Sequence, residues 1–160
     1  MGALLRTIVF TIFVPGTVAV LIPSWILPAG ARWHADATGI VALILAAAGA
    51  SIYFWCAFWA FANYGQGTPL PFDPPKRLVA HGLYRVIRNP MYVGVGTVVA
   101  SEAIGLRSRN LLPYLLIWGA FVYLFVLFYE EPTLRKKVGA DYQEYSRSVP
   151  RWLPKLSAQD

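Results

Sequence analysis

The side chains with chemistry to offer gather in two places. One is the stretch His81 to Gly96, which reads HGLYRVIRNPMYVGVG, and the other is the acidic pair Glu130-Glu131. In the first, Asn89 stands before Pro90. Asn is a favoured helix N-cap, because its side-chain oxygen accepts from an orphan backbone N–H. Pro suits the first helical position, where no N–H is needed, and it pushes the preceding residue into the extended region. The pair predicts a helix starting at Pro90, with Asn89 as its cap. A helix N-terminus carries about half a positive charge, and Arg85 and Arg88 lie just before this one. Such an end receives a carboxylate or a phosphate. Gly94 and Gly96 fall on the first turns, where backbone can approach a ligand or another helix closely. Tyr84 and Tyr92 offer aromatic faces, which attract a cation. Glu130 and Glu131 close an apolar run. A helix C-terminus disfavours anions, so this pair calls for a cationic partner. The stretch also fits a basic juxtamembrane loop with a capped helix and a small-residue packing face.

Positioning these groups falls to apolar helices. The chain has 160 residues, 57% of them hydrophobic and 14% charged, where a soluble domain has about 25% charged. The expected fold is an all-α membrane protein with about four transmembrane helices, including a short helical hairpin, and a cytoplasmic C-terminal helical tail. It forms one domain, residues 1–63 giving two spans and residues 64–160 a loop, the hairpin and the tail. Leu4 to Leu27 is nearly all apolar and long enough to cross a bilayer, which takes about 20 residues. Pro15 and Pro23 are expected to kink or shorten it. A secretory leader is the rival, but the run exceeds an ordinary leader's apolar region and no small-residue cleavage site closes it. Asp36 or Thr38 can cap a second span from about Gly39 to Asn63, small-residued at first and aromatic at its end. Gly65 to Lys76 is too rich in proline for a helix. Met91 to Leu106 is short for a span and holds Glu102, which should face protein or water. Leu111 to Tyr129 is longer, and Pro132 should interrupt or restart the helix after Glu131. Gly139 suits a helix stop, and Tyr142, Tyr145 and Val149 share one face of a short helix beyond it.

Eleven of the fourteen Lys and Arg residues lie in Arg6, the Lys76–Arg88 segment and the tail, against Arg32, Arg107 and Arg109 in the other loops. The positive-inside rule then puts both termini and both chemical segments in the cytoplasm. A net charge of +6 on so apolar a chain points to loops on an anionic leaflet, not to nucleic acid. The lone Cys56 fits a small core residue, and two histidines with one cysteine make no zinc constellation.

Taken in order, GxYxxxRNPxYxG followed one hairpin later by EE resembles an integral-membrane methyltransferase family. That family contains isoprenylcysteine carboxyl methyltransferases and phospholipid N-methyltransferases. The resemblance runs from about Gln66 to Pro154 and takes in Leu134, Gly139, Tyr142, Tyr145, Val149 and Pro150. It implies S-adenosyl-L-methionine as methyl donor, held among Gln66, Lys76, Arg77, Leu78, Val79, His81, Tyr84, Asn89, Pro90, Met91, Tyr92, Gly94, Glu130 and Glu131. Of these, the Asn89-Pro90 helix start suits the donor's carboxylate. Glu130 suits its ammonium or ribose hydroxyls.

Methyl transfer from sulfur is a direct displacement, in which the protein aligns the reactants and excludes water. No side-chain nucleophile is required, and Arg85, Arg88 and Arg135 are the catalytic candidates. The acceptor would be lipophilic and enter from the bilayer. Two departures stand out. Asn89 replaces a histidine often found before the proline, and Val126 replaces an arginine that carboxyl-methylating relatives carry one turn before the glutamate pair. The second departure leaves an isoprenylcysteine-like carboxylate nearly level with a phosphatidylethanolamine-like amine, with a thiol behind them. A sterol-reductase-like NADPH enzyme and a non-catalytic membrane protein are the other classes. Reductases of that kind are much longer, and a non-catalytic protein needs no cluster of polar groups on one membrane face.

Overall fold

Two glycines bring two helices into backbone contact. α3 (Ala37–Phe54) and α4 (Pro90–Gly105) cross where Gly49 meets Gly94. A Cβ built on either would lie 2.7 Å from the other's carbonyl oxygen. Between helices in lipid, where burial of apolar surface drives nothing, such small-residue contacts supply the close packing. α4 packs along α3 more extensively than any other pair of elements. On another face of α4, Gly96 takes the Trp118 indole, 2.9 Å from where its Cβ would stand. Trp118 belongs to α5 (Leu111–Phe125), so α4 lies between α3 and α5. The architecture comes from a computed structural model that describes residues 3–59 and 78–154, and all the elements among them are helical.

Among the described residues, three helices are long and apolar enough to cross a membrane: Leu4–Ile26, Ala37–Trp59 and Leu111–Val138. With 16 residues α4 is shorter, about 24 Å at 1.5 Å per residue, against a hydrocarbon core of about 30 Å. Its neighbours shelter it: Val95, Val99, Ser101 and Ala103 are buried. The first helix comprises α1 (Ala3–Phe13) and α2 (Ile22–Ile26), joined through a π-helical turn, Thr17–Leu21. Of the kink or early end expected at the prolines, the early end is absent: the helix runs on to Ile26. The amide of Ile22 reaches back to the Thr17 carbonyl, and Pro23 falls in the opening turn of α2, where an N–H is not required. The first helix is fastened by a hydrogen bond shared between the Thr11 and Tyr53 hydroxyls, 2.8 Å, and by Tyr114 donating to the Val18 carbonyl, 2.7 Å.

A π turn answers Pro132 in the same way. α5 passes through Val126–Glu130 into α6 (Glu131–Val138), with the Glu131 amide donating to the Val126 carbonyl. Of the interruption or restart expected there, the structure has the restart: a new α-helix begins at Glu131 with Pro132 in its opening turn, where no N–H is required. α6 does stop at Gly139, whose φ of 71° suits glycine. α7 (Ala140–Ser148) follows and folds Tyr142, Tyr145 and Val149 onto Leu134, Val138, Leu78 and Ala80. That is the face expected from the spacing.

The far end of the bundle is closed by the first loop. Asp36 caps α3 by accepting from the Gly39 amide at 3.0 Å, and it pairs with Arg107. His34 donates its amide to the Gly105 carbonyl at 3.0 Å, and the Trp33 indole lies against Gly105.

Candidate active site

The near end, around the start of α4, is built from four pieces of chain. The 3-10 turn Gly82–Arg85 sets Tyr84 into a core with Cys56 and Val79. Gly82, at φ 55°, gives room to the Trp55 indole, which a Cβ would meet at 2.1 Å. Tyr145 of α7 donates to the Tyr84 carbonyl at 2.6 Å. Burial raises the Tyr84 and Tyr145 phenols well above their ordinary range.

The adjacent glutamates face different partners. Glu130 accepts from the Tyr92 hydroxyl at 2.9 Å. Glu131 is buried within an arginine cage. Arg151 bonds both its oxygens, Nε to Oε1 at 2.6 Å and Nη2 to Oε2 at 3.1 Å. Arg88 Nη1 donates to Oε1 at 3.0 Å, and Arg135 stands 3.7 Å from Oε2. Forked contacts of this kind hold both the charge and the orientation of a carboxylate. The hydrogen bonds to Glu131 push Arg151 above even its usual range. Burial, then the negative charge of Glu131, raises the Tyr142 phenol, whose hydroxyl accepts from Arg88 at 3.4 Å. The Nε of Arg88 is buried and has no partner among the described residues.

α4 starts at Pro90 as expected, but Asn89 does not cap it with its side chain. Its Nδ2 donates instead to the Arg151 carbonyl at 3.1 Å, while the Arg88 amide donates to the Pro150 carbonyl at 2.9 Å. Residues 150–152 thus lie across the start of α4, and Trp152 continues onto α5 against Tyr123, 6.4 Å between ring centres. Val126, the position lacking the family's arginine, is fully buried.

The predicted site residues divide accordingly. Tyr84, Arg88, Asn89, Pro90, Met91, Tyr92, Glu130 and Glu131 come together, with Val79 buried beneath the turn and Leu78 packed under α7. Gly94 contacts α3, which fills the space beside its Cα. Arg135 reaches Glu131, whereas Arg85 and His81 are exposed on the 3-10 turn. Gln66, Lys76 and Arg77 lie outside the described residues. Arg151 was missed. The sequence places it beyond a proline at the tail's end, and nothing local ties it to Glu131.

Fold and site together define a helical membrane protein with a buried, arginine-braced glutamate and a second, tyrosine-bound one beside one helix start. The family model for phospholipid methyltransferases matches residues 39–141, and the chain belongs to that family. It is also 25% identical over 123 residues to proteins named "Probable protein-S-isoprenylcysteine O-methyltransferase", from Oryza sativa subsp. indica and subsp. japonica. Each match covers 76% of this chain and 62% of the relative, so the chain spans less than two thirds of those relatives' length. No solved structure matches.

Proposed function

We propose that the chain is an S-adenosyl-L-methionine-dependent methyltransferase acting in the membrane on a lipophilic acceptor, of the isoprenylcysteine-carboxylate type. The observation that carries this reading is the pairing of Tyr92 with Glu130 beside the uncapped start of α4. The residues fit the donor's two charges. Glu130 would take the ammonium by a charge-assisted bond. The first-turn amides of α4, with Arg88 behind them, would take the carboxylate. When bound, the donor supplies a methyl group on a sulfonium. Tyr92 holds Glu130 in place, the tail covers the start of α4, and both limit water. The acceptor needs its reacting atom aligned, and the protein supplies that alignment and no nucleophile. The topology that goes with this has α4 as a fourth, shorter span and both termini in the cytoplasm.

A phospholipid amine is the second reading. Buried, uncharged Val126 favours it, since an acceptor carboxylate would have no cation there and an unpaired buried charge is costly. The test is methyl transfer from labelled donor to a farnesylcysteine analogue, phosphatidylethanolamine and a simple alkyl thiol, in separate assays. Turnover of the farnesylcysteine analogue supports the first reading, and turnover of the amine lipid alone moves the chain to the second. No turnover together with no donor binding removes both.

A further inference from the structure

The helix that begins as α5 does not stop at the membrane. It runs from Leu111 to Val138, through the π turn Val126–Glu130 and into α6. The polar run Arg107 to Asn110 precedes Leu111 and sets one edge of the hydrocarbon. About 20 residues at 1.5 Å each cover its thickness of about 30 Å, so the other edge falls near Glu130. Phe128 and Tyr129 are both exposed there, at the level where aromatic residues gather. α6 then stands in the headgroup layer, and its last turn carries Arg135, Lys136 and Lys137.

Cations in a last turn suit the helix dipole whichever way they point. Their register says more. Ile117, Phe121, Leu124 and Phe128 are exposed at spacings of three and four residues, which makes one lipid-facing stripe. A turn with i→i+5 bonds winds less per residue, so the stripe passes from Phe128 to Pro132 and the exposed Lys136. Helical side chains lean toward the helix N-terminus, which here is back toward the membrane, and a lysine stem extends that reach. Lys136 forms no ion pair with a described carboxylate. Arg135 beside it keeps a guanidinium that is more than half exposed, 3.7 Å from Glu131.

We propose that Lys136, with Arg135 beside it, docks the headgroup of an anionic phospholipid at the edge of the bundle. The helix offers apolar side chains to the acyl chains and, in the same line, a cation to the headgroup, so one lipid is held at both ends. The inference needs only that this helix crosses the bilayer, and it stands apart from the methyl-transfer reading.

Native mass spectrometry reads which lipid is retained when the whole protein is released from detergent holding equal amounts of phosphatidylglycerol and phosphatidylcholine. In the species with one lipid bound, phosphatidylglycerol should exceed phosphatidylcholine by roughly five-fold, the worth of one cation at a membrane surface. Lys136→Gln should bring the ratio to within about two-fold of parity, and Lys136→Arg should keep it. Arg147→Gln removes the same charge from an exposed position on α7 and should leave the ratio unchanged. No preference in the wild type, a preference that survives Lys136→Gln, or an equal loss in Arg147→Gln would overturn the proposal.

Discussion

Replacing each glutamate in turn by glutamine should separate two adjacent acids by what they do. Glu131 is 4% exposed and faces Arg88, 10% exposed, Arg151, 28% exposed, and Arg135, 56% exposed. The exposed Arg135 contact at 3.7 Å is screened and contributes about 0–1 kcal/mol. The buried part is the Arg88 and Arg151 contact, and removing one partner of a buried ion pair costs about 3–5 kcal/mol. At about 2–4 °C per kcal/mol for a chain of this size, Glu131→Gln should lower the melting temperature by roughly 6–20 °C. Glu130→Gln keeps an oxygen that accepts from the Tyr92 hydroxyl and removes only the charge, so it should melt close to wild type. Its donor affinity should nevertheless fall about ten- to a hundred-fold, the worth of a charged hydrogen bond of about 1.5–3 kcal/mol. Thermal unfolding in detergent and calorimetry on the same samples read both quantities. If Glu131→Gln melted like wild type, the arginine cage would not be the fastening described. If Glu130→Gln kept wild-type affinity, Glu130 would leave the site.

Two further outcomes follow from the packing and the charge distribution. Gly94→Ala forces a Cβ to 2.7 Å from the Gly49 carbonyl, an overpacking that should cost about 1–3 kcal/mol, while Gly119→Ala, with open space around it, should be neutral in the same melting assay. With Cys56 replaced, single cysteines at His34 and Ser157 should react with an impermeant reagent from opposite sides of sealed vesicles, and labelling from one side would refute the orientation drawn from Lys and Arg.

What the sequence disclosed and what it withheld divide along a physical line. Local rules found the start at Pro90, the Asp36 cap, the Gly139 stop and the shared face of Tyr142, Tyr145 and Val149, because each depends on near neighbours. Contacts between distant segments were invisible. Asn89 read as a cap because its competitor, the Arg151 carbonyl, lies in the tail. Gly94 left a ligand and another helix equally open, because its partner, Gly49, is in another helix. The prolines told part of the outcome. Pro23 and Pro132 each stand in the opening turn of a restarted α-helix, but no residue pattern announced the π turn before each. The π turn Val126–Glu130 ends on Glu130, just before Glu131, so sequence could name the acidic pair and could not say which of the two meets the arginines.

The backbone contact between Gly49 and Gly94 has a mechanical meaning. Where two side chains interlock, rotamer changes let helices slide or part, but two backbones in touch have no such slack. α3 and α4 are therefore joined into one rigid plate at that crossing, and the site has no hinge on that side. On the opposite side the tail is attached to the start of α4 by two hydrogen bonds and by the Arg151–Glu131 ion pair, whose carboxylate is buried. Its backbone has no glycine-to-glycine contact of that kind to lock it, and segments held by side chains and single hydrogen bonds open locally more readily than the packed helices. The rigid plate keeps its alignment through any such opening.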